Sequence, residues 1–340
     1  MIITKDYISN KLNQITNNHV NLEDYSFFET NKNLNNIILL GLGGSYAYGT
    51  NVKGSDIDIR GICLPTKENI LLGKDIEQIV NTNTDTVIYT VQKMVNLLKN
   101  CNPNTIEILG NKPENYLYVS DIGRMLIDSK DIFLSKRCIK TFMGYANQQL
   151  YKLQQKSLVA MSKEDFNTHI IKTLNFMQDD LKSKYNMNNI NFHLNDNDEI
   201  IADIHVDNYP VENFSEVLGI LNKTIRDYHN KSIRNEKAIS HNKINKHAMH
   251  LLRLYMMCID ILLYGEINTY REKEHDLLMD VRNGKYTNED GKPNTIFYDI
   301  VSDYEHQITI ASEKSNLPNT PDQEKIDKFL IKIYEMAYNF

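Results

Sequence analysis

Tryptophan is absent from the 340 residues, and cysteine occurs only four times. Cys63, Cys101, Cys138 and Cys258 lie far apart and form no CxxC pair, so neither a zinc cage nor a disulfide framework is suggested. The missing tryptophan accompanies heavy use of Asn, Ile, Lys and Tyr, which reads as a base-composition bias of the source and excludes no function. Positive charge is not in excess: 38 Lys and Arg stand against 44 Asp and Glu, for a formal charge of −6. That balance argues against extended non-specific binding of nucleic acid, although a local basic cleft, enough for a tRNA end, stays compatible with it. No apolar run approaches membrane-spanning length and no N-terminal apolar segment follows a basic one, so a cytoplasmic protein without a membrane partner is expected. There is no internal repeat. No Ser-His-Asp or Cys-His grouping stands in a recognisable spacing.

What is present is a chain able to bury a core, with 41% apolar and 24% charged residues. Its length suits one large or two modest domains. Helical spacing over 5–19 leads to "NIILLGLG" (36–43), a short apolar run ending in glycine that predicts a buried strand. "SDIDIRGICLP" (55–65) alternates polar and apolar residues before a proline and predicts a second strand. The β-branched "DTVIYTV" (85–91) predicts a third, and "QKMVNLLKNC" and "PNTIEILG" predict short helices. Beyond residue 120 the pattern is mainly helical, over 133–155, 164–185, 210–229, 244–264 and the C-terminal "EKIDKFLIKIYEMAYNF". An Asn- and Asp-rich stretch at 187–207 between two alternating runs predicts a surface hairpin. Residues 229–243 form a basic connector. The expected fold class is α+β: a mixed-sheet α/β domain over 1–120 followed by a mainly helical domain over 121–340.

The densest signal is "GLGGSYAYGTNVKGSDIDIRG" (41–61), for which three readings compete. A dinucleotide-binding GxGxxG turn starting at Gly41 needs glycine where Tyr46 stands, so that fingerprint fails. A plain strand–turn–strand with solvated acids is the usual fate of a lone DxD. The third reading joins the two ends of the stretch. On a strand, Asp56 and Asp58 project to one side while Ile57 and Ile59 enter the core. Two adjacent carboxylates repel unless a cation lies between them, and hard oxygen ligands at this spacing suit Mg²⁺, which completes its shell with water and phosphate. "GGSYAYGT" offers backbone N–H groups, a helix start and the Ser45 hydroxyl to an anion. A phosphate over Gly44 and Ser45 would thus lie beside two metal ligands.

These residues resemble the GS-x(n)-DxD pattern of the DNA polymerase β-like nucleotidyltransferase superfamily, and "GSYAYGTNVKGSDIDIRG" is similar to its bacterial and phage branch. The resemblance extends through "NPNTIEILG" (102–110), "GYANQQLYKL" (144–153) and "KHAMHLLRLYMMCIDILLYGEI" (246–267), and is weak over roughly 156–240. It implies a two-metal transfer of an NMP group from an NTP to a hydroxyl acceptor with release of pyrophosphate. Gly44 and Ser45 would hold the triphosphate and Asp56 and Asp58 two Mg²⁺ ions. The superfamily's third carboxylate, which polarises the acceptor hydroxyl, would be Asp85, with Glu107 in reserve. The implied partners are an NTP and an acceptor that is RNA, such as tRNA, a protein or a small molecule.

Lys246, His250 and Arg253 form one helical stripe opposite Ala248, Leu251, Leu252, Tyr255 and Met256, suited either to the outer phosphates of a nucleotide or to solvent. Arg60 stands on the same side as Asp58 and either pairs with the carboxylates or meets substrate. Tyr46 and Tyr48 read chiefly as packing residues, and Arg282 is placed near the cleft. Two alternatives remain: an antitoxin-type transferase that modifies a partner protein, and a binding protein on the same fold that no longer turns over.

Overall fold

The computed structural model describes residues 3–16, 20–74, 76–157, 199–222, 243–288 and 292–338, with residue 224 and shorter stretches between 171 and 197. Five strands make one mixed sheet: β1 (Ile37–Leu42), β2 (Ile59–Cys63), β3 (Gln78–Asn81), β4 (Thr86–Thr90) and β5 (Tyr116–Val119), in the order β3-β4-β2-β1-β5. β1 runs antiparallel to both β2 and β5, β2 is parallel to β4, and β3 is antiparallel to β4. The α+β class expected from sequence is the class observed.

β1 is buried along its whole length because it is central and covered on both faces. On one face, Ile37, Leu40 and Leu42 meet Ile59, Ile88 and Leu117, together with Ile8 and Leu12 of the helix Lys5–Thr16. Gly123 lies close to the β1 backbone: a Cβ there would come within 2.2 Å of the Ile38 carbonyl oxygen. The Ser120 side chain caps that helix, Asp121–Asp128, at the Gly123 N–H and also donates to the Ile38 oxygen at 3.0 Å.

The strand expected over 55–65 is shorter than its alternation predicts. Pairing starts at Ile59, opposite Leu42, because β1 turns away at Gly43 and leaves 55–58 without a ladder partner. The acidic pair therefore precedes the strand and does not lie within it. Strands β3 and β5, four residues each, are too short to carry a periodic signal, and sequence reading gave neither.

Two compact units emerge. The first joins Met1–Gln149, Met249–Tyr286 and Asn294–Phe340, and so contains the sheet, most of the helix Lys243–Tyr264 and the helices His275–Arg282, Thr295–Lys314 and Gln323–Tyr338. Leu251, Leu252, Tyr255, Met256 and Ile261 of the long helix are all buried. The second unit, Leu150–Ala248 with Thr287–Pro293, holds the antiparallel hairpin of β6 (Ile190–Leu194) and β7 (Ile200–Ile204). Its core includes Met187, Ile190, Phe192, Val217 and Leu221. Residues 211–222 are helical. Most of the helix expected at 164–185 and nearly all of the connector 229–243 lie outside the described residues. All four cysteines are buried and unbridged, and among the described residues no helix is long and apolar enough to cross a membrane.

Candidate active site

At the end of β1 the chain makes a single helical turn, Gly44–Ala47, entered through an extended Gly43. Gly44 has φ +54, a left-handed conformation that glycine adopts without strain. The same position is sterically closed to any side chain, since a Cβ would lie 2.0 Å from Asp58 Oδ2. The Gly43 N–H donates to the Asp58 carbonyl at 2.8 Å, which fastens the glycine turn directly to the acidic segment. After the turn, the Thr50 N–H donates to the Ser45 carbonyl at 2.9 Å, and Ser45 itself is buried. One helical turn has little dipole, so an anion here would be met by backbone N–H groups and side chains.

Asp58 is about one quarter exposed, with Oδ1 accepting from Arg60 Nη2 at 3.0 Å. Arg60 Nη1 also donates to the carbonyls of Ile59 and Asp85, at 3.0 and 2.6 Å. Arg60 thus ties the acidic segment to the start of β4 and neutralises part of its charge. In the parallel ladder Ile59 stands opposite Thr86, which brings Asp85 level with Asp58. Asp85 is exposed and holds φ +44, a region unusual outside glycine though less rare for aspartate. Asp56 is exposed, and with Asp85 and Asp24 it lines an open hollow of about 290 Å³.

A second group is assembled from distant parts of the chain. The Arg253 guanidinium stands 3.2 Å above the centre of the Tyr48 ring, with Nη2 3.7 Å from Glu107 Oε2. Both side chains are shielded, Arg253 at 6% and Glu107 at 12% exposure. Burial pushes the Glu107 carboxyl above its ordinary value of 4.5; Arg253, Arg60 and a hydrogen bond with Tyr48 pull the other way, and the charge of Asp58 adds to the rise. Burial also drives the Tyr48 phenol well above its usual range. Arg282 approaches from the helix His275–Arg282 and donates Nη2 to Ser55 Oγ at 3.3 Å. Its pKa is lowered by burial and then by the nearby Arg253. Tyr270 closes over Gly49, where a Cβ would come within 2.5 Å of its ring, and His275 Nε2 lies 2.9 Å from the Gly49 carbonyl.

The structure therefore brings Gly44, Asp58, Arg60 and Asp85 together around one turn, and sets Glu107, which Arg253 approaches, in the field of Asp58. Lys246 is exposed and belongs to the second unit, whereas His250 is half-buried one turn before Arg253. Arg253 is the stripe residue placed at this group, over Tyr48 and beside Glu107. Tyr270 and His275 had no signal in the sequence, because nothing local marks a residue that touches a turn so far away in the chain.

The donor set suits Mg²⁺ rather than a soft metal, being carboxylate oxygens beside a turn that Asp58 already touches. Among the described residues no group of three or more His, Cys, Asp or Glu is close enough to hold a metal as a protein cage.

A mixed five-stranded sheet with a Gly-Ser turn leaving one strand and a DxD segment entering its neighbour defines a polymerase β-like nucleotidyltransferase domain. Residues 4–175 match the family described as RlaP, the RNA repair pathway DNA polymerase beta family, and the chain belongs to that family. It is also similar to an Enterobacteria phage T4 protein, described as an uncharacterized 38.9 kDa protein in the nrdC-mobD intergenic region. The two are 24% identical over 334 residues, covering 86% of this chain and 95% of the phage protein. No solved structure matches.

Proposed function

We propose that the protein transfers a nucleotidyl group from an NTP to a hydroxyl acceptor. The observation that carries this reading is the contact of Gly44 with Asp58 Oδ2, which leaves no room even for a methyl group between the phosphate-binding turn and the acid. A turn and an acid pressed together in this way serve one ligand, a polyphosphate with its counter-ions.

In this reading Gly44 and Ser45 orient the triphosphate, and Arg253 reaches it from the region 121–340, with His250, one turn earlier on the same helix, as a further contact of its outer phosphates. Catalysis itself is carried by residues 1–120. Asp56, Asp58 and Asp85 do not form a cage by themselves and would hold Mg²⁺ only jointly with the phosphate oxygens of the substrate, where it would supply charge neutralisation at the attacking and leaving oxygens. Asp85 is preferred to Glu107 as the third carboxylate because it is exposed beside Asp56, whereas Glu107 is buried against Arg253 and Tyr48. Arg60 holds the Asp58 carboxylate and the Asp85 carbonyl in one frame, which fixes the acids before substrate arrives. The acceptor oxygen attacks the α-phosphorus in line as the bond to the β-phosphate oxygen breaks. Pyrophosphate leaves with the electron pair, and the hydroxyl proton passes to Asp85. Positioning and charge neutralisation supply nearly all of the rate in such a transfer, and no side-chain nucleophile takes part.

The family description makes an RNA hydroxyl the first acceptor to test. The full chain is incubated with each α-labelled NTP, Mg²⁺ and RNA, in parallel with total protein. Label on RNA that depends on Mg²⁺ and disappears in Asp58→Asn supports the reading. Label on protein moves the acceptor to a partner protein, as an antitoxin-type transferase would require. No label on any acceptor overturns it in favour of a binding protein.

A further inference from the structure

Arg253 is buried and Arg282 half-buried, the two guanidiniums lie within each other's field, and each keeps a shielded N–H group without an acceptor. Arg253 Nε and Arg282 Nη1 are both shielded from solvent and unpartnered, as is Thr50 Oγ1 close by in the chain to the Gly44–Ala47 turn. Buried donors are nearly always satisfied in native proteins, so an unsatisfied N–H on each of two neighbouring guanidiniums calls for an explanation. The local charge balance sharpens the point. Glu107 approaches Arg253 only to 3.7 Å, longer than a charge-assisted hydrogen bond, and burial raises its pKa. Arg282 has no ion pair among the described residues; its bond to Ser55 Oγ is to a neutral hydroxyl, and the charge that acts on it is the like charge of Arg253. Like charges held together out of water are costly unless an anion joins them.

We propose that Arg253 and Arg282 form a two-guanidinium clamp for the terminal phosphate of the donor, which gives the site its preference for a triphosphate over shorter phosphate chains. The inference rests on the nucleotidyl-transfer reading above and adds Arg282 to its binding residues. A terminal phosphate is the group with the most negative charge to offer, and planar guanidinium forks match its oxygens two at a time. The placement follows the turn. Asp58 lies against Gly44 at its start, while Arg253 is stacked on Tyr48, the residue that closes it. A polyphosphate lying along the turn presents its reacting phosphorus at the Gly44 end and its last phosphate at the Tyr48 end. The outer torsions of both arginines bring their free N–H groups to it, Arg253 exchanging its loose contact with Glu107 for the phosphate. Ser55, directly before Asp56, anchors Arg282 to the acidic segment, so that clamp and acids keep a fixed spacing.

The test is calorimetric titration of the full chain, in EDTA, with inorganic tripolyphosphate, pyrophosphate and orthophosphate. The wild-type protein is expected to prefer tripolyphosphate to orthophosphate. Arg282→Gln is expected to lose about tenfold in tripolyphosphate affinity and most of that preference, since the fork cannot be replaced by a neutral amide. Arg282→Lys keeps the charge but not the fork, and is expected to fall between the two. Without ligand, Arg282→Gln is expected to melt no lower than the wild type, because one of two like charges has gone. Should Arg282→Gln fail to fold, Arg282→Lys decides alone: tripolyphosphate affinity equal to the wild type's overturns the clamp. So does a wild type that binds no tripolyphosphate, or an Arg282→Gln protein that binds it undiminished. Failure of the enclosing reading looks different: tripolyphosphate binds through Arg282, yet no NTP labels any acceptor. Labelling that proceeds in Arg282→Gln with an unchanged KM for the NTP removes the clamp and leaves the transfer reading standing.

Discussion

Gly44 carries two constraints at once, a left-handed backbone and the face of the Asp58 carboxylate. Gly44→Ala would strain the backbone, at a cost of about 1–3 kcal/mol, and push Oδ2 away from its position. Urea denaturation is expected to show a modest loss of stability with the fold retained. Nucleotidyl transfer is expected to fall by roughly a hundredfold or more, the scale of a displacement of about 1 Å at a reacting centre. A variant that keeps full transfer would separate the turn from the chemistry. Glu107 makes a prediction about pH. Its carboxyl is raised above 4.5 in the folded chain by burial, so the folded state binds its proton more tightly than the unfolded state does. Stability from this group is then fully present below 4.5 and declines as pH rises toward the raised folded value, with a slope of at most about 1.4 kcal/mol per pH unit for one proton. Arg253, Arg60 and Tyr48 offset part of that shift, and Asp58 adds to it. Urea unfolding of the wild type and Glu107→Gln, compared from pH 4.5 upward, is expected to show the decline in the wild type and a flatter profile in the variant. Parallel profiles would mean that the carboxylate is fully compensated by Arg253.

At the scale of elements, the site depends on how β1 ends and on what holds it there. The helix Asp121–Asp128 packs its first turn on the β1 backbone, with Gly123 against the Ile38 carbonyl and Ser120 bonded to the same oxygen. Gly123→Ala places a methyl where backbone stands at 2.2 Å, and backbone cannot rotate away as a side chain can. Overpacking of this kind typically costs about 1–3 kcal/mol, so a lowered urea midpoint is expected. Ser120→Ala, which removes a cap, is expected to cost about 1 kcal/mol. An unchanged midpoint in Gly123→Ala would show that the helix shifts freely on the sheet. The same scale explains where sequence reading stopped. "NIILLGLG" announced β1 because a buried central strand is continuously apolar, and "DTVIYTV" announced β4 by its β-branched residues. Alternation over 55–65 extended β2 too far, because alternation continues past the point where β1 stops offering a partner.

At the scale of the whole molecule, the family match ends at residue 175, yet the compact unit that holds the sheet also takes in Met249–Tyr286 and Asn294–Phe340. Leu251, Leu252, Tyr255 and Met256 are buried in it and would leave unfilled core behind if removed. A fragment of residues 1–175 is therefore expected to lack a cooperative thermal transition, as followed by far-ultraviolet circular dichroism, while the full chain shows one. A cooperative fragment would show that the sheet and its N-terminal helices suffice.

The sequence alone determined the α+β class, the family and the pairing of a Gly-Ser turn with two aspartates, because each is a local pattern: strand, turn and DxD fall within a few tens of residues. It also placed Arg253 on one helical stripe with Lys246 and His250. Only the tertiary structure decided that Arg253 lies over Tyr48 and beside Glu107, that Arg60 links Asp58 to the Asp85 carbonyl, and that Arg282 reaches Ser55. Those contacts join residues far apart in the chain. Their meeting depends on long-range packing around the sheet, for which periodicity and motif spacing carry no information.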